Sequence, residues 1–526
     1  MRPIVEKADP GSSDSSAKVR GRGLTQETFY LRATRLARLS RGGDRHLTLV
    51  LEWEEGGHPF TIRDNFNQSL RASQRLLLEA GGRAHLLSAS GRVLSQPATP
   101  EARFVSAFAE GPVKAALADL PPLRALLTVT SGAARCGRLA LVDGGGKTRV
   151  SANLRELCPI DGDSIVLVTV GELRGYGGAL RDLLSRLHAC DAMPLAAGNL
   201  YRVMHPASMS YTARPSVEVR REDTAFDAAN ALIGAHLPIV RANEPGIVAD
   251  IDTEFLHDYR IALRKIRSVL SLFKGVYAPE QTVALKARFA ALMAPTGPLR
   301  DDDVYLLERR SFYAMVPDTM HGGLDRMFER VGQRRLAAWA GLADRLRGKG
   351  YIREIEALMD LFSRRKTLLP GPNADRMSQD LASELIRKRY RRIRRIAAGL
   401  TAGMPDDEVH ALRVECKKLR YLIEFFGPMF QQDVLHDILK SLKKLQDSLG
   451  SFNDCVVQQA GLLAFLDDLG DEPRRLEIAQ SIGALVTVLH QRQIVEHEKI
   501  VQAFAHFSGD GMRQAFRRLF HDGKDI

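Results

Sequence analysis

The sequence predicts two unlike parts in one chain. An N-terminal α+β domain built on an antiparallel, barrel-like sheet is followed by an all-α domain of two repeated four-helix bundles. Three observations carry this expectation. Short alternating or β-branched runs fill residues 46–172, each closed by a glycine-rich turn. From about residue 223 onward apolar residues recur at helical spacing, with no run that reads as a strand. The helical part then repeats itself at one fixed offset, without a gap.

Residues 1–25 are polar and lack the apolar core of a signal peptide, so they read as a disordered tail. Residues 26–205 form the α+β domain. Its strand signals are "HLTLVLEW", "RLLLEA", "RALLTVTS", "RLALVDGGGKTRVSA" and "DSIVLVTVG", with helical pieces at "PVKAALADL" and "ALRDLLSRLHAC". Residues 206–222 are polar and proline-bearing, a linker. Residues 223–522 form the helical domain, and the Pro/Gly-rich "KTLLPGPNAD" divides it into halves 223–365 and 376–522.

Composition removes several classes of function. Five cysteines with no CxxC pair argue against a disulfide framework and a zinc knuckle, and predict a reducing, cytoplasmic setting. No apolar run reaches membrane-spanning length, so no membrane partner is expected. Net charge is +12, but the helical part is only mildly basic in bulk. An anion site there must come from placement.

That placement is visible in "HDYRIALRKIR". His257, Arg260, Arg264 and Arg267 fall on one helical face, beside an apolar stripe of Leu256, Leu263, Ile266, Leu270 and Phe273. In "HALRVECKKLR" the pattern returns 153 residues later as His410, Arg413, Lys417, Lys418 and Arg420. The same offset pairs Phe273 with Phe426, Gly297 with Gly450 and Asp301 with Asp454. Further cations lie in "RKRYRRIRR" (Arg387, Arg391 and Arg394 on one face), at Lys286, and at Lys440, Lys443 and Lys444. Any single Lys/Arg run is usually a solvated face. Two stripes in register, with few acids inside them, repel themselves by about 0.2–0.5 kcal/mol per pair unless an anion intervenes. Guanidinium groups match phosphate oxygens in bidentate fashion, so phosphate binding is the favoured reading.

"FLHDYRIALRKIRSVLSLF" and "EVHALRVECKKLRYLIEFF", followed by "GPLRD" and "GSFND", resemble the two repeat signatures of the CHAD family. The resemblance covers about 223–522. It implies two four-helix bundles around a basic cleft that binds inorganic polyphosphate, lined by His257, Arg260, Arg264, Arg267, His410, Arg413, Lys417, Lys418 and Arg420. Asn453 stands where the first repeat has Arg300, so a contact carried by that arginine is lost in the second.

Residues 46–205 resemble a CYTH domain, the triphosphate-tunnel barrel that often precedes CHAD. The resemblance implies metal-holding carboxylates and inward cations. "LTLVLEWEEGG" offers Glu52, Glu54 and Glu55 but no lysine, Leu76 and Leu78 replace tunnel arginines, and Val105 replaces a glutamate in "ARFVSAF", taken as a middle strand. The domain therefore reads as degenerate and inactive, kept as a scaffold or protein-binding module. "VDGGGKT" lacks Walker spacing and reads as a hairpin turn; "RDDDV" (300–304) reads as helix N-capping.

The expectation is a non-enzymatic polyphosphate-binding protein of polyphosphate granules, needing no metal and no cofactor. The alternatives are a metal-dependent triphosphatase, or nucleic-acid binding through the same cations. Only 6% aromatics, with Tyr259, Tyr390 and Tyr421 alone in the stripes, speaks against the second.

Overall fold

The computed structural model describes residues 26–41, 43, 44, 46–88, 90, 92–171, 177–195, 197–204, 211–364, 367–399, 404–470 and 474–520. The tail expected at residues 1–25 lies outside them. The chain divides into two compact units, residues 1–210 and 211–526.

In the first unit ten strands are antiparallel: β1 (Gln26–Arg32), β2 (Leu47–Trp53), β3 (His58–Asn65), β4 (Arg75–Ala80), β5 (Arg83–Ser88), β6 (Val93–Pro97), β7 (Leu126–Asp143), β8 (Thr148–Pro159), β9 (Ile165–Gly171) and β10 (Met193–Pro194). Short helices α1 (Ser69–Ala72) and α2 (Pro112–Ala116) and the longer α3 (Gly177–Ala189) and α4 (Ala197–Met204) complete it. The order is β10-β1-β9-β8-β7-β3-β4-β5-β6. β7 is long enough to pair with both β3 and β2 along one edge and with β8 along the other. "RALLTVTS" and "RLALVDGG" are therefore one strand, because no residue between them breaks the extended backbone.

Both faces of the sheet are buried, which explains why "SIVLVTV" is apolar without alternation. Val166, Val168 and Val170 pack with Phe29, Leu31 and Leu183 on one side. Ile165 and Leu167 pack with Tyr30, Leu76, Leu78 and Tyr201 on the other. The glycine run of "VDGGGKT" is the β7–β8 hairpin turn. Gly146 sits at φ +79°, and Asp143 Oδ1 accepts from the Gly145 and Lys147 amides at 3.0 and 2.9 Å.

Two expectations are corrected here. "ARFVSAF" is not a strand; residues Val105–Ala107 make a single 3₁₀ turn. And the first strand of the sheet is β1, in "QETFYLR", whereas β2 lies off the main path as a partner of β7 alone.

The second unit is helical: α5 (Ala225–Val248), α6 (Thr253–Leu272), α7 (Pro279–Met293), α8 (Gly297–Leu307), α9 (Arg309–Tyr313), α10 (His321–Arg347), α11 (Lys349–Arg364), α12 (Ser378–Ala397), α13 (Asp406–Phe426), α14 (Gln432–Asp467), α15 (Arg475–Phe507) and α16 (Asp510–Phe520). Caps fix two of the starts. Thr224 accepts from the Asp227 amide at 3.1 Å, and Asp252 from the Glu254 and Phe255 amides at 2.9 and 3.2 Å. The described part of the expected linker is held to this unit, since Arg221 donates twice to the Met429 carbonyl at 2.9 and 2.7 Å.

The repeat is legible helix by helix. α5 begins at residue 225 and α12 at 378, the same offset that relates the two stripes. One difference has a direct cause. α14 is a continuous helix of 36 residues, while its counterpart is broken into α7, a 3₁₀ turn at Ala294–Thr296 and α8. Pro295 and Pro298 remove backbone donors there, and the second repeat has Ser448 and Ser451 instead. The halves also share one core: Phe312, Leu324 and Phe328 pack with Phe465, Ile482, Leu485 and Leu489.

Candidate functional site

Burial of Leu263, Ile266 and Leu270 on α6, and of Leu412, Leu419 and Ile423 on α13, fixes the rotation of both helices. That rotation turns the cationic edges together. Burial, then the charge of Arg264, lowers the pKa of Arg260, with Asp301 opposing and Arg300 adding. Burial also lowers that of Arg413, which feels Asp454 and Arg264. Burial pushes Lys417 down to about 8, helped by Arg413 and Arg264. Arg264 of the first repeat thus faces Arg413 and Lys417 of the second. Burial raises the pKa of both Asp301 and Asp454, the repeat-related acids beside Arg260 and Arg413.

Next to this cluster lies a pocket of about 420 Å³, lined by Arg264, Arg267, Ser268, Ser271 and Leu272 of α6, Lys274 just beyond it, Arg389 and Arg392 of α12 and Lys418 of α13. Three of its cations share Glu415, 2% exposed, which accepts from Arg389 at 2.9 Å and Lys418 at 2.8 Å and lies 3.6 Å from Arg392. Burial alone would raise the Glu415 pKa, but the hydrogen bonds from Lys418 and Arg389 outweigh it and hold the carboxyl low. Four arginine N–H groups around the cluster and the pocket are buried without a hydrogen-bond partner: Arg264 Nε, Arg300 Nη1, Arg389 Nε and Arg413 Nε. A buried donor left unpaired costs about 1–3 kcal/mol, and more on a charged group; other buried polar atoms, among them His236 Nε2 and Tyr390 Oη, are likewise without a partner within the protein.

The other sequence-predicted residues are distributed as follows. His257 is half-buried on α6, and His410 is exposed on α13 with Nδ1 3.0 Å from Asn453 Oδ1. Asn453 thus engages His410 where Arg300 keeps an unpaired donor. Arg420 is held by Glu424 at 2.7 Å and by Gln446 at 3.3 Å. Lys286 is half-buried on α7, and Lys440, Lys443 and Lys444 are exposed on α14. Helical spacing aligns Lys443 with Gln446 and turns Lys440 and Lys444 away. Arg387, Arg391 and Arg394 occupy the face of α12 opposite Arg389 and Arg392. Arg394 lies 6.0 Å from the Tyr390 ring, which stacks on Phe516 of α16 at 3.8 Å. Of this run the pocket takes Arg389 and Arg392, while Arg387, Arg391 and Arg394 lie outside its lining. The buried seam Leu385, Ile386, Ile393 and Ala397 was the available signal, because Arg389 and Arg392 flank it.

Carboxylates missed in the sequence are Glu415 and Glu424, which lie within the second stripe itself. Asp302 and Asp303 do not cap α8, whose first turn begins at Gly297. They are buried mid-helix, Asp302 accepting from Arg334 at 2.8 Å and Asp303 from Arg335 at 2.9 Å. The capping expectation is corrected: these aspartates tie α8 to α10.

The first unit holds a separate pocket of about 330 Å³ lined from seven strands, among them Thr28 of β1, Leu78 of β4, His85 of β5, Arg155 of β8 and Thr169 of β9. The sheet therefore curls until strands from both ends of its order share one interior. The inward side chains of β1 are Thr28 and Tyr30, hydroxyl groups in place of carboxylate or lysine. Glu54 and Arg155 bring charge to the lining. Burial and the charges of Arg155 and Arg83 lower His85 to about 4, so it is neutral at pH 7. Among the described residues no group of three or more His, Cys, Asp or Glu is placed to hold a metal ion. All five cysteines are free thiols. No described helix is long and apolar enough to cross a membrane.

Together these features define a repeated helical module with a concentrated patch of arginines and lysines, preceded by a curled antiparallel sheet. Residues 231–463 match the family model of the CHAD domain, and the helical unit carries a CHAD domain over that stretch. An uncharacterized protein of Mycobacterium tuberculosis strain CDC 1551 / Oshkosh is 27% identical over 218 residues, 40% of each chain. A second, from strain ATCC 25618 / H37Rv, matches equally. The chain thus spans 40% of the length of these curated relatives. Among solved structures, the CHAD domain from the plant Ricinus communis aligns with TM-score 0.45 and 22% identity, covering 59% of this chain and 97% of that one. PptA from Streptomyces chartreusis aligns with TM-score 0.41 and 14% identity, covering 54% of this chain and 99% of that one.

Proposed function

We propose that the helical unit binds inorganic polyphosphate in a basic cleft where α6, α12 and α13 meet. Arg260, Arg264, Arg413 and Lys417 form its centre; Arg267, Arg389, Arg392 and Lys418 form an adjoining pocket. The observation that carries this is the convergence of cations from both repeats, Arg264 facing Arg413 and Lys417 beside a pocket lined by six arginines and lysines and no carboxylate. Phosphate oxygens supply acceptors for guanidinium and ammonium groups, and negative charge relieves the repulsion that, after burial, lowers Lys417. Resemblance to the CHAD family supports the same ligand.

In this reading the protein is a binding module associated with polyphosphate granules. The N-terminal unit is a degenerate tunnel fold kept as a scaffold or a protein-binding surface. Its pocket is lined mostly by hydroxyl, amide and aliphatic side chains, with Glu54 as its one carboxylate and Arg155 as its one guanidinium, fewer of each than tunnel chemistry needs.

Calorimetric titration of the full chain with long-chain polyphosphate tests the reading, followed by competition with duplex DNA and RNA at equal phosphate concentration. Saturable polyphosphate binding that nucleic acid does not displace is expected. Displacement by nucleic acid would replace the reading, and metal-dependent release of phosphate from tripolyphosphate would overturn the non-enzymatic part.

A further inference from the structure

The two stripes are related by the repeat, but the two ends of the cleft are not alike. Each residue lining the α6–α12 pocket has a counterpart 153 positions away, which allows a residue-by-residue comparison. Arg389 corresponds to His236 and Arg392 to Ile239. His236 is 3% exposed and spends Nδ1 on the Leu232 carbonyl at 2.7 Å, while burial lowers its pKa to about 4. Lys274 corresponds to Gly427, so three cations of the pocket have no cationic equivalent at the other end.

Ser271, a neutral side chain in the pocket wall, corresponds to Glu424. Glu424 accepts from Arg420 at 2.7 Å and lies 3.7 Å from Lys265. Those two cations are the counterparts of Arg267 and Lys418, so the cations that remain at that end are already matched by a carboxylate. The pocket lining, by contrast, holds no acid, and three of its cations share the buried Glu415. Nε of Arg264 and of Arg389 stay unpaired there; at the other end Nε of Arg420 is taken by Glu424, while Nε2 of His236 is buried without a partner.

We infer that the cleft is one-ended: the α6–α12 pocket anchors a phosphate group of the chain, and Glu424 stops the repeat-related end. This rests on the polyphosphate reading and adds a direction to it. A chain bound past the centre meets a carboxylate, and like charges there oppose further threading. The site thereby takes a short polyphosphate, or the terminal stretch of a long one, in preference to an interior run.

The test compares repeat-related substitutions in the full chain, titrated separately with tripolyphosphate and with long-chain polyphosphate. Arg267 is exposed, so Arg267→Gln leaves packing intact. It should weaken both ligands on the order of tenfold, as expected for one lost charge-assisted contact. Arg420→Gln, its counterpart, should cost roughly threefold or less. Glu424→Gln should tighten long-chain polyphosphate while leaving tripolyphosphate affinity within roughly twofold. Equal losses for Arg267→Gln and Arg420→Gln, or weaker long-chain binding in Glu424→Gln, would overturn the one-ended cleft while the polyphosphate reading stood. A parent chain that binds neither polyphosphate would remove that reading itself.

Discussion

Phe273 and Phe426 stack against each other with ring centroids 5.2 Å apart and planes 14° from parallel. They are the same position in the two repeats, and residues related by a twofold repeat can touch only near its axis. Two other contacts join repeat-related residues: a β-bridge between Thr224 and Met377, and a hydrogen bond from Tyr305 Oη to the Gln458 carbonyl at 3.2 Å. Both rings are at most 2% exposed. Phe426→Ala should cost about 3–5 kcal/mol. Because the ring lies between the halves, helix content should still be lost in one transition for the helical unit. Urea unfolding followed by circular dichroism measures both; two separated helical transitions in the parent chain would show the halves to be independent.

Glu415 is the internal counterion of the pocket. Glu415→Gln leaves Arg389, Arg392 and Lys418 facing one another and should destabilise the free protein by about 3–5 kcal/mol. Polyphosphate should restore more thermal stability to this variant than to the parent, since the ligand supplies the missing charge. The folded-state pKa of Glu415 lies below its ordinary 4.5. Its stabilisation is therefore present above that value and lost as pH falls through the folded pKa. Melting temperatures between pH 6 and pH 3 should show an acid-side loss in the parent that the glutamine variant lacks.

Lys417 gives the cleft a pH dependence on the alkaline side. In the free protein burial, then the charges of Arg413, Arg264 and Arg420, hold it at about 8, against an ordinary 10.5. A bound polyanion favours the ammonium form and raises that value. Binding near pH 8.5 should then take up a proton, and affinity should fall as pH rises from 7 to 9. Titration calorimetry in two buffers of different ionisation enthalpy reads the uptake, and Lys417→Met should abolish most of it. Proton-neutral binding at that pH would take Lys417 out of the contact.

Helices, the internal repeat and five of the ten described strands (β2, β4, β7, β8 and β9) were legible in the sequence, because each is written in local periodicity. The repeat was the strongest signal, since Phe273 and Phe426 declare their equivalence without any structure. What was not legible depended on which edge of a helix meets which neighbour. "RKRYRRIRR" offers cations on nearly every face, and only the docking of α12 on α13 selects Arg389 and Arg392. Glu415 looked like one acid among many; its burial beneath three cations is a tertiary fact. β1 was missed because "QETFYLR" is short and follows a polar tail, and it is held in the sheet by β9 and β10, far along the chain. The Asp302–Arg334 and Asp303–Arg335 pairs were hidden similarly, since their partners are 32 residues away.

The centre of the proposed cleft, unlike its proposed ends, draws evenly on the two repeats, and charge reversal should expose this. Arg260→Glu/Arg264→Glu on α6 and Arg413→Glu/Lys417→Glu on α13 each put two carboxylates where phosphate oxygens must lie. Each should weaken polyphosphate binding by on the order of 2–5 kcal/mol, and by similar amounts. These side chains lie beside the apolar seam, so the helices should persist. Asp301 and Asp454 each stand next to a reversed position, however, and will repel the new glutamates. The neutral pairs Arg260→Gln/Arg264→Gln and Arg413→Gln/Lys417→Gln control for that: they should lose less affinity, again by matching amounts, with unchanged circular dichroism. The salt dependence of binding should flatten in all four variants, because fewer counterions are released when fewer cations meet phosphate. If one repeat's reversal leaves affinity intact while the other abolishes it, the centre is not shared, and the site belongs to a single stripe.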